Sequence, residues 1–376
     1  MLAPTLLSSH VTASHMSGEY WRGYRGGPAR TATIDSESSV SQLTEQWSVG
    51  LRDATVLGEA LRTTPYGLLV GRSDGLSVLD TDSGSQRWNY TQAAPTHGVE
   101  YAEGRVYLGT DTGVVAIDAQ SGAEVDTFPI DIAPTADRPD SLAVTETTLI
   151  VNTTDGLAAY DTTDGSLLWQ AGGRPAHEFV VGDDHAYTRV HERIHAVVLD
   201  SGRQRWEIIR DDAEAHYDAL RGARPEGVLV KGNPGGTLGH SYFVTLLRKD
   251  DGGILVDNTI SALSQCHLVG NVALVASNGD VTCQRLADGS VEWEQSLTGI
   301  NDTPEYDDPR ASAGDTFYLT TGRQITALNI ETGAETARVQ LTHPIDAIAP
   351  VGDQLFVAGD TSVTAYEDQV TKVFDG

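Results

Sequence analysis

The sequence predicts an all-β chain closed as an eight-bladed β-propeller, with four antiparallel strands to a blade. Three observations predict it. Short apolar segments recur along the chain between Gly, Asp and Asn turns. A turn glycine returns at Gly84, Gly122, Gly165, Gly202, Gly252, Gly289 and Gly333, at spacings of 38, 43, 37, 50, 37 and 44 residues. In several copies a tryptophan stands four residues after that glycine (Trp88, Trp169, Trp206, Trp293). A period near 40 made of short strands is the mark of a propeller, because one such unit cannot bury its own faces and must stack on its neighbours.

In chain order, residues 1–15 (MLAPTLLSSHVTASH) lack a basic segment followed by an apolar run of signal-peptide length. Residues 1–17 read as a flexible extension, with Met16 as an alternative start, and the protein is expected in the cytoplasm. Residues 18–376 read as one propeller domain. The segment LTEQWSVGL (43–51) carries Trp47 in an outer-strand pattern with no inner strands before it, while the last repeat, QLFVAGDTSVTAYED, lacks its outer strand. Residues 43–49 are therefore expected to close the last blade.

The clearest blade is LLVGRSDGLSVLDTDSGSQRWNY, from Leu68 to Tyr90, in which Leu76, Val78 and Asp80 share one strand face and Ser77 and Leu79 the other. Further copies start at Arg105 and Thr148; a fourth ends RIHAVVLDSGRQRWEI; a fifth, GVLVKGNPGGTLGHSYFVTLLRKDDGGILVDN, is degenerate; a sixth and seventh complete the series.

One tryptophan per blade at a fixed phase, Trp47 included, points to packing between blades rather than to a stacking platform. Blades two, five and seven carry Asp126, Val256 and Ala337 there, so looser joints are expected at those places. The turn acids Asp80, Asp118 and Asp161 lack the alternating oxygens and closing Glu of a calcium loop, and read as caps of their turns. Cys266 and Cys283 fall on the first and third strands of blade six, about 9.5 Å apart in strand spacing, too far for a disulfide. His177, His185, His191 and His195 cluster in blade four without metal-ligand spacing.

Composition narrows function by exclusion. With 25 Lys and Arg against 53 Asp and Glu, the net charge is −28, and only Lys231, Lys249 and Lys372 are lysines. Such a charge opposes nonspecific binding to nucleic acid. No apolar run reaches the length of a membrane-spanning helix, so no membrane insertion is expected. Acid excess with almost no lysine is similar to the composition of haloarchaeal proteins, whose surface carboxylates are screened in molar salt.

The blade sequences resemble the pyrroloquinoline-quinone-type (quinoprotein-like) propeller repeat, and the leader YWRGYRGGPARTATI (20–34) is similar to the segment that precedes such propellers in haloarchaea. The resemblance implies a propeller of the kind found both in quinone-dependent alcohol dehydrogenases and in BamB-like proteins that bind other proteins. The dehydrogenases carry adjacent cysteines, a tryptophan floor, a calcium site and a catalytic Asp in a longer chain. Here no two cysteines are adjacent, and repeat count and length match the BamB-like branch. No cofactor is expected; the quinone stands in the family name alone.

The expected function is a non-catalytic scaffold for a protein partner, acting as a monomer or as part of a complex in a halophilic archaeon. The alternative is a small-molecule or quinone-binding propeller that uses the central channel. Elaborated connections at 129–140, 210–217, 232–240 and 298–310 fall on one face of the ring and are candidates for recognition. The last places Tyr306 among Asp302, Glu305, Asp307 and Asp308, with Arg310 close by, and is the favoured partner site. Arg22, Arg25 and Arg30 make the leader locally basic and are expected to pack along the blades.

Overall fold

The structure is a computed structural model that describes residues 33–34, 40, 42–51, 55–133, 141–210, 216–233, 241–261, 265–277, 279–297, 309–359 and 361–367. Among them there is no helix, and so none that could cross a membrane. The strands form eight sheets, six of them made of consecutive strands alone. Blade one runs Val56–Thr64, Gly67–Arg72, Gly75–Leu79 and Gln86–Tyr90, from the channel outward. Blade eight consists of Ala347–Val351, Gln354–Gly359 and Ser362–Glu367, and its fourth strand is Thr44–Gly50 from the start of the propeller. That strand runs antiparallel to Ser362–Glu367, Trp47 opposite Ala365, one residue further along the chain than the expected 43–49.

Among the described residues the apolar side chains pack in layers between successive blades. Leu69, Leu76 and Val78 of blade one pack with Val99, Val106 and Leu108 of blade two. Leu68, Val70 and Leu79, which point the other way, pack with Leu355, Phe356 and Val357 of blade eight. Because successive side chains point to opposite faces and both faces are covered, the inner strands read as unbroken apolar runs. The closing layer is the largest and also takes in Val40, Leu51 and residues of blade seven.

The turn–tryptophan pattern is a latch between blades. The indole nitrogens of Trp47, Trp88, Trp206 and Trp293 donate to the carbonyls of Thr81, Ala119, Lys249 and Ile330 in the following blade, at 2.7, 3.0, 2.8 and 2.8 Å. Trp169 does the same to Leu199. The turn glycine of that next blade lies under the ring: a Cβ on Gly84 would sit 2.6 Å from Trp47, and one on Gly202 2.8 Å from Trp169. Gly165, Gly252 and Gly289 share the left-handed turn backbone at φ near +70°. Where blade two has Asp126 instead of Trp, Phe128 from two residues further on covers Gly165, within 2.2 Å of where a Cβ would be. The joint expected to be loose is thus packed at that point.

Each outer strand also carries a β-bulge just before the tryptophan position. Trp169 faces Ala159 while Leu167 faces Tyr160, leaving Leu168 as the extra residue; the other seven blades shift at the same place. A bulge sharpens twist and re-aims side chains, which here directs the ring onto the next blade's turn. The turn acids act as caps: Asp80 accepts from the backbone and hydroxyl of Ser83 at 2.9 and 2.7 Å and from Arg87 at 2.7 Å. These bonds, Arg87 foremost, hold the Asp80 carboxyl down to about 2.

Candidate functional site

The connection 298–310 lies outside the described residues except for its end, so Asp302, Glu305, Tyr306, Asp307 and Asp308 receive no structural account. Arg310 opens the inner strand of blade seven, Arg310–Ala313, opposite Leu319. On the channel side of that strand sits a fifth, Thr33–Ile34, paired in parallel with Ser312 and Ala313. Val40, fully buried, follows it, and the Tyr318 hydroxyl accepts its N–H at 2.8 Å and donates to its carbonyl at 3.1 Å. Of the leader the structure describes only Thr33 and Ile34, at the inner edge of blade seven. Arg22, Arg25 and Arg30 lie outside the described residues.

The charged groups that the sequence leaves scattered meet at the channel mouth between blades four and five. Glu178 opens the inner strand of blade four, Glu178–Val181, and faces Arg189 across the hairpin. Its Oε1 accepts from Arg189 Nε at 2.8 Å and from the backbone N–H of Leu220 in blade five at 2.6 Å. One carboxylate thereby ties two blades. Arg189 Nη1 also donates to the carbonyl of His191 at 3.2 Å. The His177 and His191 rings meet edge to face 5.0 Å apart, and burial, with Arg189 and His191 alongside, holds His177 below the usual imidazole range. His185 stands at the other end of the same strand, bonded to Asp184 at 2.8 Å, and His195 faces Glu207, so the four histidines do not converge. Among the described residues no group of His, Cys, Asp and Glu is placed to hold a metal.

Blade five supplies the rest. Its inner strand, His216–Arg224, pairs with Gly227–Asn233 through two bulges, and the extra residues are Asp218 and Arg221. Lys231 is opposite Ala219 and only 6 % exposed. Asp218 lies within the fields of Lys231, Arg221, His216 and Arg189, yet burial outweighs them and raises its carboxyl above the ordinary range. Its Oδ1 is buried without a hydrogen-bond partner. Further out, Arg210 makes a two-pronged ion pair with Asp257, 3.0 Å at each prong, and lies 3.8 Å over the Phe243 ring. The sequence signal for this site is the degenerate fifth repeat and the 50-residue spacing from Gly202 to Gly252.

A family model described as outer membrane protein assembly factor BamB matches residues 38–178, 72–295 and 277–373. The chain belongs to this PQQ-like propeller family. No curated protein sequence matches it. Among solved structures, the fold is similar to BamB from Moraxella catarrhalis, with a TM-score of 0.56 and 17 % identity over 86 % of this chain and 99 % of that one. It is similar to a europium-containing methanol dehydrogenase, TM-score 0.64 and 13 % identity over 91 % and 90 %. It is also similar to the designed protein Ika8, TM-score 0.67 and 15 % identity over 86 % and 99 %. At these identities the likenesses establish the propeller and not an activity.

The described tryptophans do not supply the channel floor that a quinone site would need: Trp47, Trp88, Trp169, Trp206 and Trp293 lie on outermost strands with their N–H groups bonded to the next blade. Cys266 and Cys283 stand on the first and third strands of blade six; Cys283 is buried and burial pushes its thiol up to about 11.

Proposed function

We propose that this chain is a non-catalytic propeller scaffold that holds another protein through the face carrying the blade four–five mouth and the long connections. The observation that carries the reading is the occupation of the channel wall at blade seven by the chain's own Thr33–Ile34 strand, anchored through Val40 and Tyr318. An inner strand edge covered by the chain's own residues favours recognition at the rim over a cofactor bound against that edge. The description of the family as an assembly factor supports the same reading.

The second reading, a small molecule or quinone in the channel, is favoured by the charged groups at that mouth. The scaffold reading includes no nucleic-acid partner and no membrane insertion, consistent with a charge of −28, and takes the cytoplasm of a salt-adapted cell as its setting. Affinity capture from a lysate in molar KCl, read by mass spectrometry, tests it. A stoichiometric partner that is lost when 298–310 is trimmed, or when Tyr306 and Arg310 are changed to Ala, is the expected result. No partner, together with a small molecule or chromophore released on denaturation, overturns it in favour of the channel reading.

A further inference from the structure

Among the described residues, the outermost strand of each blade has one edge with no strand beside it. Such an edge offers a row of backbone donors and acceptors to any extended chain, and charged side chains are a common guard against that. Seven of the eight outermost strands carry such a guard. Glu45, Arg87, Glu124, Arg205, Asp257, Glu292 and Glu335 stand on blades eight, one, two, four, five, six and seven. Blade three is the exception. Its outermost strand, Leu167–Gly172, reads LLWQAG and holds no charge, in a chain where 21 % of the residues are charged. Leu167 and Leu168 are side by side and 55 % and 51 % exposed. Beyond the bulge at Leu168 the strand runs in unbroken register from Trp169 to Gly172. Blade five shows a similar exposed pair, Ile254 and Leu255, but Asp257 stands on the same strand.

The charges that flank the blade-three strand are opposite in sign. Asp164 is exposed in the turn before it, and Arg174 is exposed just beyond its end. They stand five residues to either side of Trp169. We propose that two copies of this chain join through their blade-three outer strands, antiparallel across a two-fold axis near Trp169 and Gln170, so that two four-stranded sheets become one. A second copy suits this edge for two reasons. An isologous contact needs a self-complementary patch, and the antiparallel arrangement sets Asp164 of each copy toward Arg174 of the other, while the paired leucines of both copies meet near the axis. A net charge of −28 also opposes self-association over most of the surface, and this strand is the stretch of sheet edge where no carboxylate meets another. The inference goes beyond the scaffold reading and does not depend on it.

The test is sedimentation equilibrium of the full chain in molar KCl over roughly a hundredfold range of concentration. A monomer–dimer equilibrium is expected. Leu168→Lys, at an exposed position, brings a charge from each copy close to the axis and is expected to raise the dissociation constant about tenfold or more. Leu168→Met keeps the apolar contact and is expected to leave the dimer intact. Arg174→Glu sets acid toward acid and is expected to weaken the dimer; adding Asp164→Lys reverses both pairs and is expected to restore it. A monomer at every concentration overturns the proposal, and that measurement needs only the unmodified chain. A dimer that survives Leu168→Lys lies elsewhere on the surface and overturns it as well. Dissociation by Leu168→Lys with no response to Arg174→Glu refutes the antiparallel arrangement. A monomer that instead takes up another protein, and loses it on Leu168→Lys, assigns the edge to that protein and refutes the second copy.

Discussion

Changing Gly122 to Ala tests the latch that joins blade one to blade two and recurs at the other tryptophan joints. Gly122 has φ +74°, and an added Cβ would lie 2.7 Å from Trp88, whose indole N–H is bonded to Ala119 in the same turn at 3.0 Å. Two costs add. A left-handed backbone costs an L-residue roughly 1–2 kcal/mol. Forcing a methyl into a packed ring costs roughly 1–3 kcal/mol. The sum is about 2–5 kcal/mol. Gly352 is the control: its φ is +53°, also left-handed, but nothing lies within 4 Å of the added Cβ, so Gly352→Ala carries only the first cost. Guanidinium unfolding in molar KCl, followed by tryptophan fluorescence, gives both values at constant slope. Gly122→Ala is expected to be the more damaging by about 1–3 kcal/mol, and Trp88→Leu in the same chain is expected to recover part of that difference. Equal losses for Gly122→Ala and Gly352→Ala would refute the ring-on-turn latch as a packing device and reduce the recurring glycine to a backbone requirement.

Other outcomes follow from the same geometry. Tyr318→Phe removes both hydrogen bonds to Val40 and leaves its N–H and carbonyl buried; a loss of about 2–4 kcal/mol is expected, measured by denaturant unfolding, together with faster proteolysis before residue 40. Asp80 has its folded value lowered to about 2, mainly by Arg87, against about 3.9 for an unfolded Asp. The folded state therefore binds fewer protons, so this contribution is complete above about pH 5 and fades as pH falls toward 2. Arg87→Gln should shrink the fading amplitude in an acid titration of unfolding. Transfer from molar KCl to dilute buffer should lower the unfolding temperature, because a charge of −28 then loses its screening. An unfolding temperature independent of salt between 0.1 and 2 M KCl would remove the salt-adaptation reading (roughly the range over which the Debye length falls below 10 Å).

The fold was legible in the amino-acid sequence because its determinants are local and repeated. Short apolar runs, a left-handed glycine in the turn and, in most blades, a ring four residues later recur within each repeat, and each copy reinforces the others. Even the ring closure could be inferred, since an outer strand around Trp47 had no partners nearby and the last repeat lacked one. The candidate site was not legible in the same way. The sequence marks blade five as degenerate, but the approach of Glu178 to the backbone of Leu220, 42 residues on, depends on the twist of two sheets. The bulges that set Asp218 and Arg221 apart depend on which partner residues stand opposite them. The leader is the extreme case: Thr33 and Ile34 have only two residues of pattern to offer, and their place beside Ser312 and Ala313 exists only once the ring has closed. Local pattern determined the blades because short-range sterics and burial act within each repeat. Tertiary structure decided the mouth and the channel wall because charges and strand edges from distant repeats meet only after the apolar layers have stacked.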